Sequence, residues 1–276
     1  MAVPEFSREY REARRALLDA LDALAAHRGA LILVGAQAVY FRAPLGDTRP
    51  TYTTDGDLAV DPDLLAGDPD IVGELERAGF TITESGNPGS WESPSGVDID
   101  LMVPEGVLPQ SSRRSARLTG HGSRAARRTR GLEVALYDNS EEEMRALADD
   151  DDRAVTLRIA GPAALLVAKL VKIRDRLDAG NEDRILPKDA GDVLRLLRNV
   201  DAYELGQRLA ELARQHEDVA ALIQESVSWL RWQSESRSSS LTELVIRYMA
   251  EVEDRAQVAL AFGTLAGRVF GGFHST

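Results

Sequence analysis

The chain contains no cysteine among its 276 residues. Disulfides, thiolate zinc sites and thiol nucleophiles all require cysteine, so the sequence excludes all three. A chain without disulfides is typical of the reducing cytoplasm, and we expect a cytoplasmic protein. The four histidines do not make up for the missing thiolates, because none stands at metal-ligand spacing to another.

Long apolar runs are also missing, although 43% of the residues are hydrophobic. No stretch reaches the roughly 18 apolar residues that a membrane-spanning helix needs. The N-terminal segment MAVPEFSREYREARR lacks the apolar centre of a secretion signal. We therefore expect no membrane partner. The apolar content is ample for the core of one large domain or two modest ones.

Acidic residues are absent from one segment of an otherwise acidic chain. The net charge is -12, which argues against broad, nonspecific binding of nucleic acid. Between Glu105 and Glu133, however, there is no acidic residue and there are seven arginines. We expect a mobile loop over 107–130, either a plain solvated surface or a segment whose arginines contact the phosphates of an RNA backbone. The seven residues are Arg113, Arg114, Arg117, Arg124, Arg127, Arg128 and Arg130.

The pattern of apolar residues changes from strand-like to helical along the chain. Short apolar runs bounded by Gly, Pro, Ser and Asn predict strands in the first part, whereas the pattern after Gly161-Pro162 is helical almost to the end. We expect an α/β domain over 1–160 and a helical region over 161–276. Asp68 and Pro69 are interpreted as the N-cap and first residue of a helix. The predicted strands cover 30–34, 55–60, 80–83, 90–93, 97–103, 132–137 and 155–159, and the predicted early helices cover 7–27, 35–43 and 69–78.

The stretch 31–61 carries the most informative motif. Its first apolar run breaks at Gly35, and Asp55 and Asp57 stand two apart at the head of the next apolar run. Positions i and i+2 of a strand point to one face, so both carboxylates would project together opposite the glycine turn. Such carboxylates suit Mg²⁺ held between protein oxygens and a triphosphate, and the pattern indicates nucleotidyl transfer.

A third carboxylate is expected from the segment VDIDLMV. Asp98 and Asp100 share one face of this predicted strand. The pattern alone leaves both as candidates for completing the metal site.

The helix after Pro162 carries a row of cations. Lys169, Lys172 and Arg176 lie on one helical face, and Asp189 and Asp192 share a face one turn apart in the next helix. Near a bound triphosphate, fixed cations would stabilise the charge that grows on the phosphate oxygens and the leaving pyrophosphate. The alternative is a solvated helix face, whose cations pair with the two carboxylates.

Together these motifs resemble the AbiEii-type nucleotidyltransferases of the DNA-polymerase-β-like superfamily, which include toxins of toxin–antitoxin and abortive-infection systems. The resemblance covers about residues 30–200. It implies a mixed twisted sheet flanked by helices. The helical region over 161–276 is expected to form a C-terminal bundle that packs on this domain and contributes basic residues to the site. The resemblance further implies Mg²⁺-dependent transfer of a nucleoside monophosphate and, in some members, a transfer RNA acceptor. The matching residues are Gly35-Ala36, Thr54-Asp55-Gly56-Asp57-Leu58, Asp98-Ile99-Asp100-Leu101, Ala168-Lys169-Leu170 with Arg176, and Lys188-Asp189-Ala190-Gly191-Asp192.

The resemblance also implies a role for each site residue. Asp55 and Asp57 would hold Mg²⁺ or Mn²⁺. Asp100, favoured over Asp98, would complete the metal site and help deprotonate the acceptor, and Lys169 would neutralise the triphosphate. The expected partners are a nucleoside triphosphate, an RNA acceptor and an antitoxin protein. The residues expected to bind the nucleotide are Gly35, Ala36, Gln37, Thr54, Lys172, Arg176, Asp189 and Asp192.

Two classes of function follow from the sequence. The first is an enzyme that transfers a nucleoside monophosphate to RNA or, alternatively, to a small molecule. The second is a non-catalytic nucleotide- or partner-binding module with a degenerate nucleotidyltransferase fold. Ala36 supports the second class, because family members usually have Gly or Ser directly after the first glycine. The clustered carboxylates favour the enzyme, since a relic has no physical need for them.

Overall fold

The computed structural model describes residues 6–44, 52–84, 86–109, 114–180, 186–236 and 238–275. These residues belong to two compact units, which we treat separately. The first takes in the described parts of Met1–Tyr40 and Pro50–Ala160, and the second takes in those of Phe41–Arg49 and Gly161–Thr276. The expected α/β class is confirmed, with a mixed sheet in the first unit and helices in the second. Across the described ranges, no helix is long and apolar enough to cross a membrane.

The first unit contains an eight-stranded mixed sheet. Its strands are β1 (Leu31–Val34), β2 (Asp55–Val60), β3 (Thr81–Ile82), β4 (Ser90–Glu92), β5 (Asp98–Pro104), β6 (Arg127–Thr129), β7 (Asn139–Arg145) and β8 (Ala154–Ala160). They lie in the order β3-β4-β5-β2-β1-β8-β7, and β6 pairs with β5 outside this path. The central pair, β2 with β5, is parallel, whereas β1 runs antiparallel to β2.

The first unit also contains α-helices. They are α1 (Arg8–Ala23), α3 (Ile71–Arg77) and α2 (Gly35–Arg42), whose last two residues are assigned to the second unit. The α1 helix packs on β2 and β5 and presents the fully buried Leu17 and Leu21, as its periodicity predicts. Ser7 caps its first turn by accepting a hydrogen bond from the Tyr10 backbone N–H.

The regular elements in the described residues of the second unit are helices, joined by turns. Its helices are α4 (Pro162–Asp178), α5 (Pro187–Asn199), α6 (Ala202–Gln215), α7 (Glu217–Glu235), α8 (Ser240–Met249) and α9 (Arg255–Phe273). Proline starts α4 and α5, where its missing N–H has no intrahelical acceptor to lose.

The predicted strand over 132–137 is wrong. Residues Glu133–Leu136 form a 3₁₀ turn. The buried carboxylate of Glu133 accepts hydrogen bonds from the backbone N–H groups of Gly106, at 3.0 Å, and Gly131, at 2.7 Å. These bonds close the chain into a turn. The strand comes later, as β7, which pairs antiparallel with β8 at the edge of the sheet.

Two further expectations need correction. The α3 helix begins at Ile71, and Asp70 rather than Asp68 caps it by accepting a hydrogen bond from the Gly73 N–H at 3.0 Å. The segment 107–130, expected to be a loop, contains β6. Its backbone also forms a hydrogen bond within the segment, from the N–H of Arg128 to the Arg114 carbonyl at 2.7 Å. Small apolar residues between the arginines are fully buried and hold this segment to the sheet: Ala116, Ala125 and Ala126. Arg113 lies outside the described residues.

Candidate functional site

Four carboxylates lie side by side on β2 and β5. The parallel register places Asp55 opposite Asp98 and Asp57 opposite Asp100. Register partners share a face of the sheet, and so do residues two apart, so all four project from the same face. We call Asp55, Asp57, Asp98 and Asp100 the carboxylate face. Gly56, between the first two, lies on the opposite face against Leu17 of α1.

Gly35 packs directly against Asp57. Residue 34 is the register partner of Asp57, so β1 ends and α2 begins beside this carboxylate. Gly35 has φ +67, and a Cβ on it would lie 1.9 Å from Asp57 Oδ2. Both the backbone conformation and the space therefore require glycine at this position. The structure thus brings the glycine turn and the carboxylates of the sequence motif together.

Asp100 is held by Arg127, an arginine of the segment that is expected to contact RNA. Arg127 Nη1 lies 2.5 Å from Asp100 Oδ1, and Nη2 lies 2.5 Å from Oδ2. The Ser90 hydroxyl donates to Asp100 Oδ1 at 2.7 Å and accepts from Arg127 Nη1 at 3.0 Å. Both oxygens of Asp100 are therefore engaged. No local pattern distinguishes Arg127 or Ser90 from their neighbours, because only strand pairing brings them here.

Asp55 is fixed through its side chain and its backbone. The Thr53 hydroxyl donates to Asp55 Oδ1 at 2.5 Å, and Gln37 Nε2 donates to the Asp55 carbonyl at 3.0 Å. Gln37, expected among the nucleotide-binding residues, is only 1% exposed, and its Oε1 accepts a hydrogen bond from Arg14 Nε at 2.8 Å. Ala36 is buried as well. Gln37 therefore supports the start of β2 from within the protein, whereas Thr54 is exposed beside Asp55.

Like charges crowd the outer end of the carboxylate face. Glu92 of β4 is the register partner of Asp98. Partial burial raises the pKa of Asp98, and repulsion from Asp100, Glu92 and Asp55 raises it further. A cation bound among these groups would relieve the repulsion.

Within the described ranges, no group of three Asp, Glu, His or Cys side chains is arranged as a set of metal ligands. On the carboxylate face, the guanidinium of Arg127 takes the place on Asp100 that a metal ion would use. Asp55, Asp57 and Asp98 supply the hard oxygen atoms that Mg²⁺ prefers.

The second unit contains a cluster of charged residues between α4 and α5. Lys169 Nζ lies 3.0 Å from Asp189 Oδ1 and 2.6 Å from Asp192 Oδ2. The shorter contact is an ion pair only, because Asp192 Oδ2 has no hydrogen-bond partner of good geometry. Lys172 Nζ and Arg176 Nη1 also contact Asp189, at 3.0 and 2.6 Å. The structure therefore brings together all five residues predicted on these two helices.

The two lysines of this cluster differ in burial. The Lys169 side chain is 6% exposed, whereas that of Lys172 is 44% exposed. Burial alone would lower the pKa of Lys169, but attraction by Asp192 and Asp189 outweighs it and raises that pKa. Burial would raise the pKa of Asp189, but Lys169, Lys172 and Arg176 together lower it. Lys169 is thus a buried cation with two carboxylate partners, and Lys172 is the accessible one.

The remaining arginines of the 107–130 segment lie at the surface to different degrees. Arg114, Arg117, Arg124 and Arg130 are exposed, and Arg128 is half-buried. Arg124 contacts Glu76 at 3.4 Å, with both side chains more than half exposed. Because its guanidinium is bonded to Asp100, Arg127 is not expected to contact RNA.

Comparison of the chain with protein-family models, with curated proteins and with solved structures finds no match.

Proposed function

We propose that the protein is a nucleotidyltransferase that uses Mg²⁺ or Mn²⁺ to move a nucleoside monophosphate from a nucleoside triphosphate to an acceptor. The carboxylate face carries this proposal. Its four carboxylates are in register on adjacent parallel strands. Asp57 occupies the space that a side chain at position 35 would need, so glycine is required there. Such crowding of like charges costs a folded protein stability, and a bound divalent ion would offset more of this cost than Arg127 does at Asp100.

Asp55 and Asp57 would hold the divalent ion through their carboxylate oxygens, and Asp100 would become the third ligand once Arg127 moves away. A bound ion would neutralise the triphosphate and act as a Lewis acid on it. Gly35 also opens α2, and the N–H groups in the first turn of a helix have no intrahelical acceptor. Backbone groups of this kind bind phosphate oxygens.

The proposed reaction exchanges one phosphorus–oxygen bond for another and releases pyrophosphate. The acceptor oxygen forms a bond to the α-phosphorus, the bond from that phosphorus to the bridging oxygen breaks, and pyrophosphate leaves. The hydroxyl proton of the acceptor passes to a carboxylate of the carboxylate face, for which Asp100 is our candidate. The protein's part in this step is to place the reactants in line and to stabilise charge.

RNA is the acceptor class that we favour. The exposed arginines Arg114, Arg117 and Arg124 lie in a segment without acidic residues, and phosphate contacts need such a surface. The sequence resemblance adds the biological setting, a toxin acting on transfer RNA and held in check by an antitoxin.

A non-catalytic binding module is the second candidate. The double contact between Arg127 and Asp100 favours it, because a permanent ion pair would keep Asp100 from both metal and proton. Under this candidate the protein binds a nucleotide but never turns it over.

Incubation of the protein with each radiolabelled NTP, Mg²⁺ or Mn²⁺ and total RNA separates the two candidates. We expect label on RNA with the wild type and none with Asp57→Asn. Asp63→Asn, which alters an exposed carboxylate beyond β2, should behave as the wild type. Nucleotide binding without transfer to RNA or to a small molecule would support the binding module, and neither binding nor transfer would refute both.

A further inference from the structure

Arg127 reaches the carboxylate face from β6. The parallel pairing of β6 with β5 makes Arg127 the register partner of Met102, two residues beyond Asp100. Since residues two apart share a face, Arg127 lies on the same face as the carboxylates. Its planar guanidinium meets both Asp100 oxygens, the geometry in which an arginine–carboxylate pair is strongest.

Gly89 allows β6 to come this close. It has φ +73, and a Cβ on it would lie 2.3 Å from the Leu101 carbonyl oxygen and 2.6 Å from the backbone N of Arg127. The Gly89 carbonyl accepts from the Leu101 N–H at 2.7 Å, and the Gly89 N–H donates to the Arg124 carbonyl at 2.9 Å. Gly89 therefore joins β5 to the residues that lead into β6. It also sets the position of the next residue, Ser90, which contacts both members of the ion pair.

Arg127 is attracted by the charge of a second carboxylate on this face as well as by Asp100. Burial would lower the pKa of Arg127, but the hydrogen bonds and charge of Asp100, together with the charge of Asp57, raise it. The guanidinium thus interacts with two of the three carboxylates expected to hold the metal. A divalent ion among these carboxylates would repel it.

We propose that Arg127 is an internal counter-cation of the carboxylate face, and that a divalent ion binds there in competition with its guanidinium for Asp100. This inference rests on the proposed function, because it concerns the same metal site. It assigns Arg127 a regulatory place in metal loading: the side chain stabilises the carboxylates while they hold no metal and weakens the affinity for the ion.

The test is Mn²⁺ affinity, measured from the electron paramagnetic resonance signal of free Mn²⁺ with chelator-treated full-length protein and no nucleotide. Arg127→Met removes the charge and keeps the length of the side chain. We expect it to bind Mn²⁺ at least about tenfold more tightly than the wild type, since the ion no longer has to break a charged pair of hydrogen bonds. Arg127→Lys should tighten binding less, because its ammonium keeps the charge but cannot bridge both carboxylate oxygens in the same way.

Two further variants make the result decisive. Arg124→Met removes a surface arginine from the same segment and should leave Mn²⁺ affinity unchanged. Ser90→Ala loosens the ion pair without exposing a buried charge, and we expect a twofold to threefold tightening, on the order of a weak hydrogen bond. If Arg127→Met does not fold, as judged by circular dichroism, Ser90→Ala decides the test.

Failure of this inference can be told from failure of the proposed function. If the wild type binds Mn²⁺ and transfers nucleotide, but folded Arg127→Met and Ser90→Ala bind no more tightly, Arg127 is not a competitor and the enzyme assignment stands. If neither the wild type nor Arg127→Met binds Mn²⁺, the inference is overturned, and the proposed function is overturned with it when the wild type also fails to transfer nucleotide. Tight binding by Arg127→Met beside weak binding by the wild type supports the inference.

Discussion

At the scale of single residues, the contact between Gly35 and Asp57 restricts position 35 to glycine. Gly35→Ala would force a side chain into a left-handed backbone conformation and push a methyl group into the Asp57 carboxylate. We expect the variant to lose about 2–4 kcal/mol of the free energy of unfolding, from backbone strain and steric overlap together. Urea titration measures this loss, and Mn²⁺ binding measures the displacement of Asp57.

Gly96 provides a matched control for the conformational part of this effect. It has φ +78, and a Cβ on it would meet no atom within 4 Å. Gly96→Ala should therefore lose only the strain, about 1–2 kcal/mol, and should bind Mn²⁺ as the wild type does. Equal losses of stability and unchanged Mn²⁺ affinity in both variants would show that Asp57 has more freedom than the structure indicates.

At the scale of secondary-structure elements, the charge cluster between α4 and α5 acts as a tie between two helices. Lys169→Met would leave Asp189 and Asp192 buried without their central cation. We expect it to lower the free energy of unfolding by about 3–5 kcal/mol, because an unpaired buried charge is strongly destabilising. Lys172→Met, at an accessible position, should lose less than about 1 kcal/mol. A wild-type stability for Lys169→Met in urea titration would contradict this role.

The same cluster makes stability depend on pH. The pKa of Asp189 is lowered in the folded protein, so the unfolded chain binds its proton first as the pH falls. The stabilisation by Asp189 is thus complete above its ordinary unfolded pKa of about 4 and is lost progressively below it. We expect the free energy of unfolding to fall with acid more steeply in the wild type than in Asp189→Asn. Parallel pH profiles of the two proteins from pH 6 to pH 3 would refute this.

The spacing of apolar residues predicts a helix or strand when the element's own sequence distinguishes its buried face from its exposed face. The strand β2 and the helix α4 are of this kind: β2 has its predicted bounds, and α4 begins at Pro162, where the helical pattern is expected to start. The strand β7 is not, because its sequence NSEEEMR is polar and its form comes from pairing with β8 at the sheet edge. The turn at Glu133 depends on a buried carboxylate that accepts hydrogen bonds from the neighbouring Gly131 N–H and from the distant Gly106 N–H, and no spacing in the sequence reveals the second contact.

The candidate site divides in the same way. Alternation within a strand predicts that Asp55 and Asp57 share a face, and likewise Asp98 and Asp100. The two pairs are adjacent because of the register between β2 and β5. Arg127 contacts Asp100 although the two residues are 27 positions apart in the chain. Such long-range pairing is decided by the packing of the whole sheet.

At the scale of the whole molecule, the net charge of -12 opposes the approach of any nucleic acid. RNA binding therefore has to come from a local surface, and the exposed arginines Arg114, Arg117 and Arg124 form part of the segment without acidic residues. Arg127 has to be left intact in a test of this surface, because its removal would disturb Asp100.

We expect affinity for transfer RNA to fall steeply with added salt, because each phosphate that the protein neutralises releases condensed counterions. Replacing Arg114, Arg117 and Arg124 together by Ala should lower the slope of log affinity against log salt by about 2–3, at roughly 0.7–0.9 for each phosphate that is no longer neutralised. Binding of NTP should change little, because none of the three belongs to the carboxylate face. Filter binding across a salt series measures the slope. Identical slopes for wild type and variant would remove RNA contact from this segment, and retained nucleotide transfer would then favour a small-molecule acceptor.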